Sequence, residues 1–497
     1  MMKLNHYLDM VETVANSEQN VLWTIDEILA ATGGSLENSS VSDDVRGISM
    51  DSRTISAGEI FFAIKGDNFD GHSFVDDAIA AGARLAVVAN QFQSGVSDMP
   101  LLRVGDPLEA MRALAAAARV RSSARIIAVT GSVGKTGTKD GLTVCLRDSG
   151  LTHASPASFN NHWGVPFTLA NLPVRAAYGI FEIGMNHAGE ITPLTLLVRP
   201  HIAIVTTIAL VHIGYLGSIE AIADAKAEIF EGLETGGFAV LNRDNEQFER
   251  LEAAARSVGG NIITFGTDDK ADARLLYVEE SAIGIHIEAD ILGQRTSYYV
   301  PEPGRHLAMN SLAILAAARL ANVELDVAAR ALANWHSAKG RGTQITLYAD
   351  RGPFLLIDES YNANPVSVRA ALGVLGYAGM GNASDCRSGG RRVAVLGDML
   401  ELGELAQDAH GALADIIEKE NIDRVYCCGR WMKFLFDRLR PSRRGGYFED
   451  AHSLAQILCE EVGPGDAIMV KGSFAIGMGG VVEALKQRFS LTQKPGG

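Results

Sequence analysis

Apolar, β-branched runs that end near glycine and alternate with helical stretches set the fold class of this chain. RIIAVTG, YGIFEIG, HIAIVTTI, GGFAVLN and NIITFG follow one another between residues 125 and 266. Continuous apolar strands separated by helices call for a mainly parallel sheet covered on both faces. The same grammar appears before and after this stretch. EIFFAIKG (59–66) reads as a strand, SFVDDAIAAGA (73–83) as a helix and RLAVVA (84–89) as a strand, together a small α/β unit. GPFLLIDESYNANP (352–365), RRVAVLGDM (391–399), DRVYCCG (423–429) and DAIMVKGS (466–473) give a third set of strands with helices between them. PLEAMRALAAAARVRSS and HLAMNSLAILAAARLA (306–321) read as long helices. The 497 residues exceed what one hydrophobic core usually supports. The expected organisation is α/β throughout, in three domains at 1–105, 106–341 and 342–497.

The junction IIAVTGSVGKTGTKD (126–140) carries the clearest chemistry. A strand, a glycine turn and a helix start together make an anion site, because free backbone N–H groups and the helix dipole converge there. Lys135 would neutralise phosphate charge, and the Thr136 hydroxyl could reach a magnesium ion. The common pattern GxxxxGK[ST] fails by one residue, since Val129 stands at its first glycine. A carboxylate is also needed near such a metal. Glu182 lies inside the apolar run YGIFEIG, where an unpaired charge costs several kcal/mol.

Composition narrows the function class. Lys plus Arg number 44 against 59 Asp plus Glu, a formal net charge of −15. Such a chain repels polyanions, so general nucleic-acid binding is not expected. Cys145, Cys386, Cys427, Cys428 and Cys459 show no CxxC or zinc spacing and read as free thiols in a reducing compartment. Cys427 and Cys428 are expected to pack within a strand. The uncharged run at 200–219 approaches bilayer length. It is rich in Val, Ile and Thr, holds His201 and His212, and leads to a glycine turn, so a buried strand running into a loop is expected. The first twenty residues lack the blocks of a signal peptide. A cytoplasmic, monomeric protein without membrane insertion is the expectation.

With these residues in place, the chain resembles the Mur ligase family. The resemblance runs over nearly its whole length, through DSRTISAGEIFFAIKGDNFDGHSF, TGSVGKT, SFNNHWGVPFTL, FEIGMNHAGEI, VHIGYLGSIEAIADAKAEIFEGL, GRHLAMNSLAILAA, DESYNANPVSVRAAL, VLGDMLELGELAQDAH and VKGS in family order. It also accounts for Val129, because the family loop lacks the first glycine. The resemblance implies a UDP-sugar-binding domain, a central ATPase domain and a Rossmann-like C-terminal domain. It implies an ATP-dependent, ADP-forming amide ligase working through an acyl phosphate. Within the family the motifs are most similar to the branch that adds D-Ala-D-Ala to UDP-MurNAc-tripeptide, a step in peptidoglycan synthesis.

Carried over by motif, Gly131, Ser132, Val133, Gly134, Lys135, Thr136 and Gly137 would cradle ATP. Asn310 would contact adenine, Arg341 the phosphates and Glu359 the nucleotide. Thr136, Glu182, His212 and a carbamylated Lys226 would hold Mg²⁺, two ions in all. Lys135, Lys226, His212 and Arg341 are thus the expected catalytic set. Ser52, Arg53, Lys65, Gly66, Asn160, Asn161, Lys471 and Ser473 fall at expected substrate contacts. Read alone, His212 would be a satisfied structural histidine and Lys226 a solvated helix residue. DESYNANP could equally be an Asx-type turn stopped by proline. Leu307 stands where the family often has asparagine, and the arginine-rich continuation after KGS is missing. Sister ligases for diamino acids carry an Asp-Asn/Asp-Pro-Arg motif absent here, and folate-polyglutamate ligases lack the early DSRTISAGEIFFAIKG. Outside the class, a nucleotide-driven switch would use the same loop.

Overall fold

The protein is described from a computed structural model covering residues 21–38, 44–66, 69–95, 98–281, 283–349, 352–378 and 390–489. The N-terminal twenty residues, Cys386 with most of the Gly/Ser-rich 379–392 segment, and the C-terminal tail lie outside that set. The described chain forms two compact units. One runs to Ser122 and takes in the returning segment Leu169–Val174; the other comprises Ser123–Thr168 and the chain from Arg175 onward. The boundary expected at 105/106 falls one helix before the edge of the first unit.

In the first unit a five-stranded sheet is ordered Ser35–Glu37, Leu101–Val104, Leu85–Ala89, Glu59–Phe62, Gly47–Ser49. It is parallel except at the Ser35–Glu37 edge. The helix Pro107–Arg121 starts where the Asp106 carboxylate accepts from Leu108 and Glu109 N–H, with proline at its first turn.

The second unit carries two sheets. The larger has nine strands, with Arg125–Thr130 between Tyr178–Glu182 and Ile202–Val205. It is parallel from Thr152–Ala154 through Ala273–Ser281. Two antiparallel strands, Gly284–Ile291 and Gln294–Val300, extend it. The sequence reading left these last three strands unassigned. Their pattern alternates apolar with polar, so they lack the continuous runs that mark the centre. The chain passes from Tyr178–Glu182 on one side of Arg125–Thr130 to Ile202–Val205 on the other. That reversal opens a crevice at the carboxyl ends of the strands. The helix Arg305–Leu320, buried over most of its length, covers one face and packs on Leu142, Cys145 and Leu146 of the helix Lys135–Arg147.

The second sheet of this unit has six strands ordered Thr343–Ala349, Gly352–Glu359, Ala467–Lys471, Arg392–Gly397, Arg424–Cys428, Arg444–Phe448. Only the Thr343–Ala349 edge is antiparallel. The doubly wound, Rossmann-like expectation holds. Cys427 and Cys428 are buried strand residues as expected, and the run at 200–219 forms the buried strand Ile202–Val205 leading to a loop. Cys145, Cys427, Cys428 and Cys459 are free thiols. Among the described residues no helix is long and apolar enough to cross a membrane.

Candidate active site

The phosphate loop leaves the carboxyl end of Arg125–Thr130 and enters the helix Lys135–Arg147. Gly134 caps that helix without a side-chain bond, leaving the first-turn amides available to an anion. Gly131 has φ 145°, and a Cβ there would sit 1.9 Å from Thr206 Oγ1. This is the physical reason for glycine here: the Thr206 hydroxyl donates to Val133 O at 2.6 Å and needs the space. Ser132 is threaded into the neighbouring loop, its N–H donating to Thr207 O and its Oγ accepting from Ala209 N–H. The loop is therefore held from the Ile202–Val205 side, and Val129 is a buried strand residue with no turn to make. Asn310 lies against Gly134, its side-chain nitrogen 2.9 Å from where a Cβ would project.

On the other side, Glu182 pairs in register with Val129 and is 1% exposed. Asn160 Nδ2 donates to its Oε1 at 2.7 Å, while Oε2 is buried without a hydrogen-bond partner in the protein. The loop 155–160 then joins the parts. Ser158 Oγ is 3.4 Å from Thr136 Oγ1 and accepts from Arg341 Nη2 at 3.2 Å. The Arg341 guanidinium also lies 4.1 Å from the Tyr361 ring centroid. Lys135 Nζ donates to Gly131 O at 2.8 Å. Its ammonium is pushed below its ordinary range by burial and, less, by Arg341, while Glu182 opposes the shift.

Two members of this group escaped the sequence reading. One is Ser158. The other is Lys139, one helical turn after Lys135. Lys139 is buried, donates to Ser155 O at 2.9 Å and Ala157 O at 3.0 Å, and pairs with Asp140 at 2.9 Å. It pins the loop that carries Ser158 and Asn160. The i,i+4 spacing from Lys135 was the available signal. Asn161, by contrast, spends its Oδ1 on Gly164 N–H at the start of the next helix.

Lys226 stands in the helix Ile219–Ala227, capped by Ser218, and is 1% exposed rather than solvated. Burial, and then the nearby Lys135 charge, push its amine well below the ordinary lysine value; Glu228 opposes them. His212 has a left-handed backbone (φ 55°) and lies with Nδ1 2.5 Å from Glu401 Oε2. Glu401, on the loop after Arg392–Gly397, is a third residue the sequence reading missed.

Further along, Asp358 is buried and accepts from Ser360 N–H and Oγ–H, an Asx turn that occupies it. Glu359 pairs with Lys471 Nζ at 3.0 Å, and Lys471 also donates to Asn362 O. Ser473 is buried, its Oγ accepting from Leu400 N–H at 2.9 Å. Asn364 caps the helix that Pro365 opens. In the first unit, Arg53 is exposed and bidentate on Asp51, next to Ser52; the backbones of Lys65 and Asp70 form an isolated antiparallel β-bridge, with Gly66 N–H donating to Phe69 O.

Among the described residues no three His, Cys, Asp or Glu side chains group tightly enough to hold a metal. The oxygen donors present, the orphaned Glu182 Oε2 and the Thr136 hydroxyl, are nonetheless the hard type that magnesium takes. The donor chemistry fits the ion, and a carbamate would add two further oxygens.

Residues 129–318 match the description "Mur ligase middle domain", 344–474 "Mur ligase, glutamate ligase domain" and 44–119 "Mur ligase family, catalytic domain". A UDP-N-acetylmuramoyl-tripeptide--D-alanyl-D-alanine ligase from Rickettsia prowazekii is 30% identical, over 93% of this chain and 99% of its own. The Escherichia coli protein of that name is 32% identical, over 93% and 98%. The crystal structure of MurF from Acinetobacter baumannii superposes with a TM-score of 0.79 at 28% identity, over 94% and 99%.

Proposed function

This chain belongs to the Mur ligase family, and we propose that it joins D-Ala-D-Ala to UDP-MurNAc-tripeptide at the cost of ATP. The observation that carries the reading is the single assembly of Lys135, Thr136, Ser158, Glu182 and Arg341 at the carboxyl end of one sheet.

A carboxylate cannot be attacked by an amine until its oxygen becomes a leaving group. The γ-phosphoryl of ATP passes to the terminal carboxylate of the tripeptide: a new P–O bond forms, the β–γ bridge breaks and ADP departs. The D-Ala-D-Ala amine then adds to the acyl carbon and loses a proton, and the C–O bond to phosphate breaks. Two anions must meet in the first step. Lys135 and Arg341 supply the opposing charge, and the uncapped helix amides orient the phosphates. Ser158, bonded to Arg341 and beside Thr136, fixes where that charge sits. Thr136, Glu182, His212 and a carbamate on Lys226 would hold Mg²⁺, two ions in all, which supply positive charge to the phosphate oxygens.

Asn310 and Glu359 complete the nucleotide contacts in this reading. Ser52, Arg53, Lys65 and Gly66 take the UDP sugar, and Asn160 orders Glu182 at the edge of the muramoyl site. Lys471 acts through Glu359, and Ser473 and Asn161 hold backbone. The protein works as a cytoplasmic monomer.

Trapping tests the chemistry. With ATP and UDP-MurNAc-tripeptide but no dipeptide, hydroxylamine should yield the peptide hydroxamate together with ADP. ADP formation without any hydroxamate would contradict the acyl phosphate.

A further inference from the structure

Two loops of the second unit meet backbone to backbone. Gly214 N–H donates to Glu401 O at 3.1 Å. A Cβ on Gly214 would lie 3.2 Å from both Glu401 O and Gly403 N, and one on Gly403 would lie 3.1 Å from Gly214 Cα. Both contacts are tighter than a side chain tolerates without movement, so glycine on each loop permits the approach. The approach brings Glu401 to His212. Each has a left-handed backbone, φ 63° and 55°, and each costs strain that its surroundings must outweigh.

The loop bearing Glu401 is held from behind. Asp398 accepts from Trp431 and Met432 N–H, and its carbonyl accepts from Ser473 N–H. His410 is fully buried, takes Met399 N–H on Nε2 and gives its Nδ1–H to Ala406 O. Leu400 N–H is taken by Ser473 Oγ. A loop fixed at three successive residues presents the fourth, Glu401, with little freedom. His212 Nδ1 lies 2.5 Å from Glu401 Oε2, close enough for the carboxylate to face the proton on that nitrogen.

We propose that Glu401 is a positioning residue for His212, so that seating the 398–403 loop of the C-terminal sheet against the 212–214 loop prepares the imidazole as a metal ligand. A carboxylate at Nδ1 keeps the proton on that nitrogen and leaves the Nε2 lone pair for a cation, and such partners set ring orientation and ligand basicity. The ligand's second partner comes from the other sheet, so the metal site is complete only when the two loops are together. The proposal rests on the reading of His212 as a ligand.

The test is Mn²⁺ binding followed by electron paramagnetic resonance on the full chain with a non-hydrolysable ATP analogue and no peptide substrate. Variants are Glu401→Gln, Glu401→Ala, His212→Ala and the Glu401→Ala/His212→Ala double, each checked for an unchanged melting temperature without metal. Glu401 is 40% exposed, so its removal leaves the core intact. Both Glu401 variants should weaken Mn²⁺ about tenfold or more, His212→Ala at least as much, and the double no more than His212→Ala. Wild-type affinity in the Glu401 variants with loss in His212→Ala overturns the positioning role alone. Tighter binding in the Glu401 variants overturns it too, because the carboxylate would then withhold the ring. Further loss in the double means Glu401 acts apart from His212. Unchanged binding in His212→Ala removes the ligand reading and the inference with it.

Discussion

Lys135 and Lys226 carry the same group into one buried site, yet their chemistry diverges. Lys135 has the loop carbonyl of Gly131 and the Glu182 charge to support an ammonium. Lys226 is deeper and feels Lys135 as a repulsive neighbour. Both effects favour its neutral amine relative to a free lysine, and in the proposed reading a carbamate formed there with CO₂ would reverse the sign of the charge offered to the metal. Lys226→Arg should therefore lose ligation, since guanidinium forms no carbamate. The wild type, stripped of CO₂, should slow and recover on addition of bicarbonate. A fully active Lys226→Arg variant would contradict this. At this scale the sequence was legible where a motif names the residue: Lys135 and Thr136 open the helix that follows Arg125–Thr130, and Glu182 lies on the strand beside it. It was silent where a role depends on a fold-specific contact. Lys139 looks like any helix lysine until Ser155 and Ala157 carbonyls close on it.

Elements explain how those residues hold position. The loop 155–160 has no regular structure and is fixed by the Lys139 ammonium. Lys139→Met would leave two carbonyls without a donor and Asp140 without its partner, costing about 1–3 kcal/mol per unsatisfied buried group. The expected signature is a lower urea midpoint and a fall in kcat with near-normal affinity for an ATP analogue, because the phosphate loop itself is held from Thr206. Unchanged stability and kcat would remove Lys139 from the account.

The linker before Arg341 offers a pH test. Glu302 accepts from Ser337 N–H at 2.6 Å and from its hydroxyl. Burial raises its carboxyl to about 7, with the Ser337 bonds opposing the shift and the Glu359 charge adding to it. A raised carboxyl binds protons more tightly folded than unfolded. Its stabilisation is complete below the ordinary value of 4.5 and is lost as pH rises through about 7. Glu302→Gln should flatten that fall in urea stability between pH 5 and 8, a change on the order of 3 kcal/mol. Parallel profiles for variant and wild type would contradict it. The strands of the central sheet were legible because burial on both faces demands apolar runs. The antiparallel strands from Ala273 to Val300 were not, since one wet face breaks the run into alternation.

Taken whole, a chain of net charge −15 must draw two strongly anionic ligands, ATP and UDP-MurNAc-tripeptide, and the zwitterionic D-Ala-D-Ala into one reaction. It does so with local donors rather than a basic surface, which is why composition excluded polyanions yet left these substrates open. The three larger α/β sheets were readable from alternation and glycine punctuation. The seating of Glu401 against His212 was not, because it joins residues far apart in sequence through two loops. The competing whole-molecule account, a nucleotide-driven switch, differs in its coupling. ADP release should be measured with ATP alone, with UDP-MurNAc-tripeptide added, with D-Ala-D-Ala added, and with both. The ligase account predicts sustained turnover only with both, one ADP for each UDP-MurNAc-pentapeptide formed. Turnover that proceeds equally without D-Ala-D-Ala, or ADP release without pentapeptide, would contradict it.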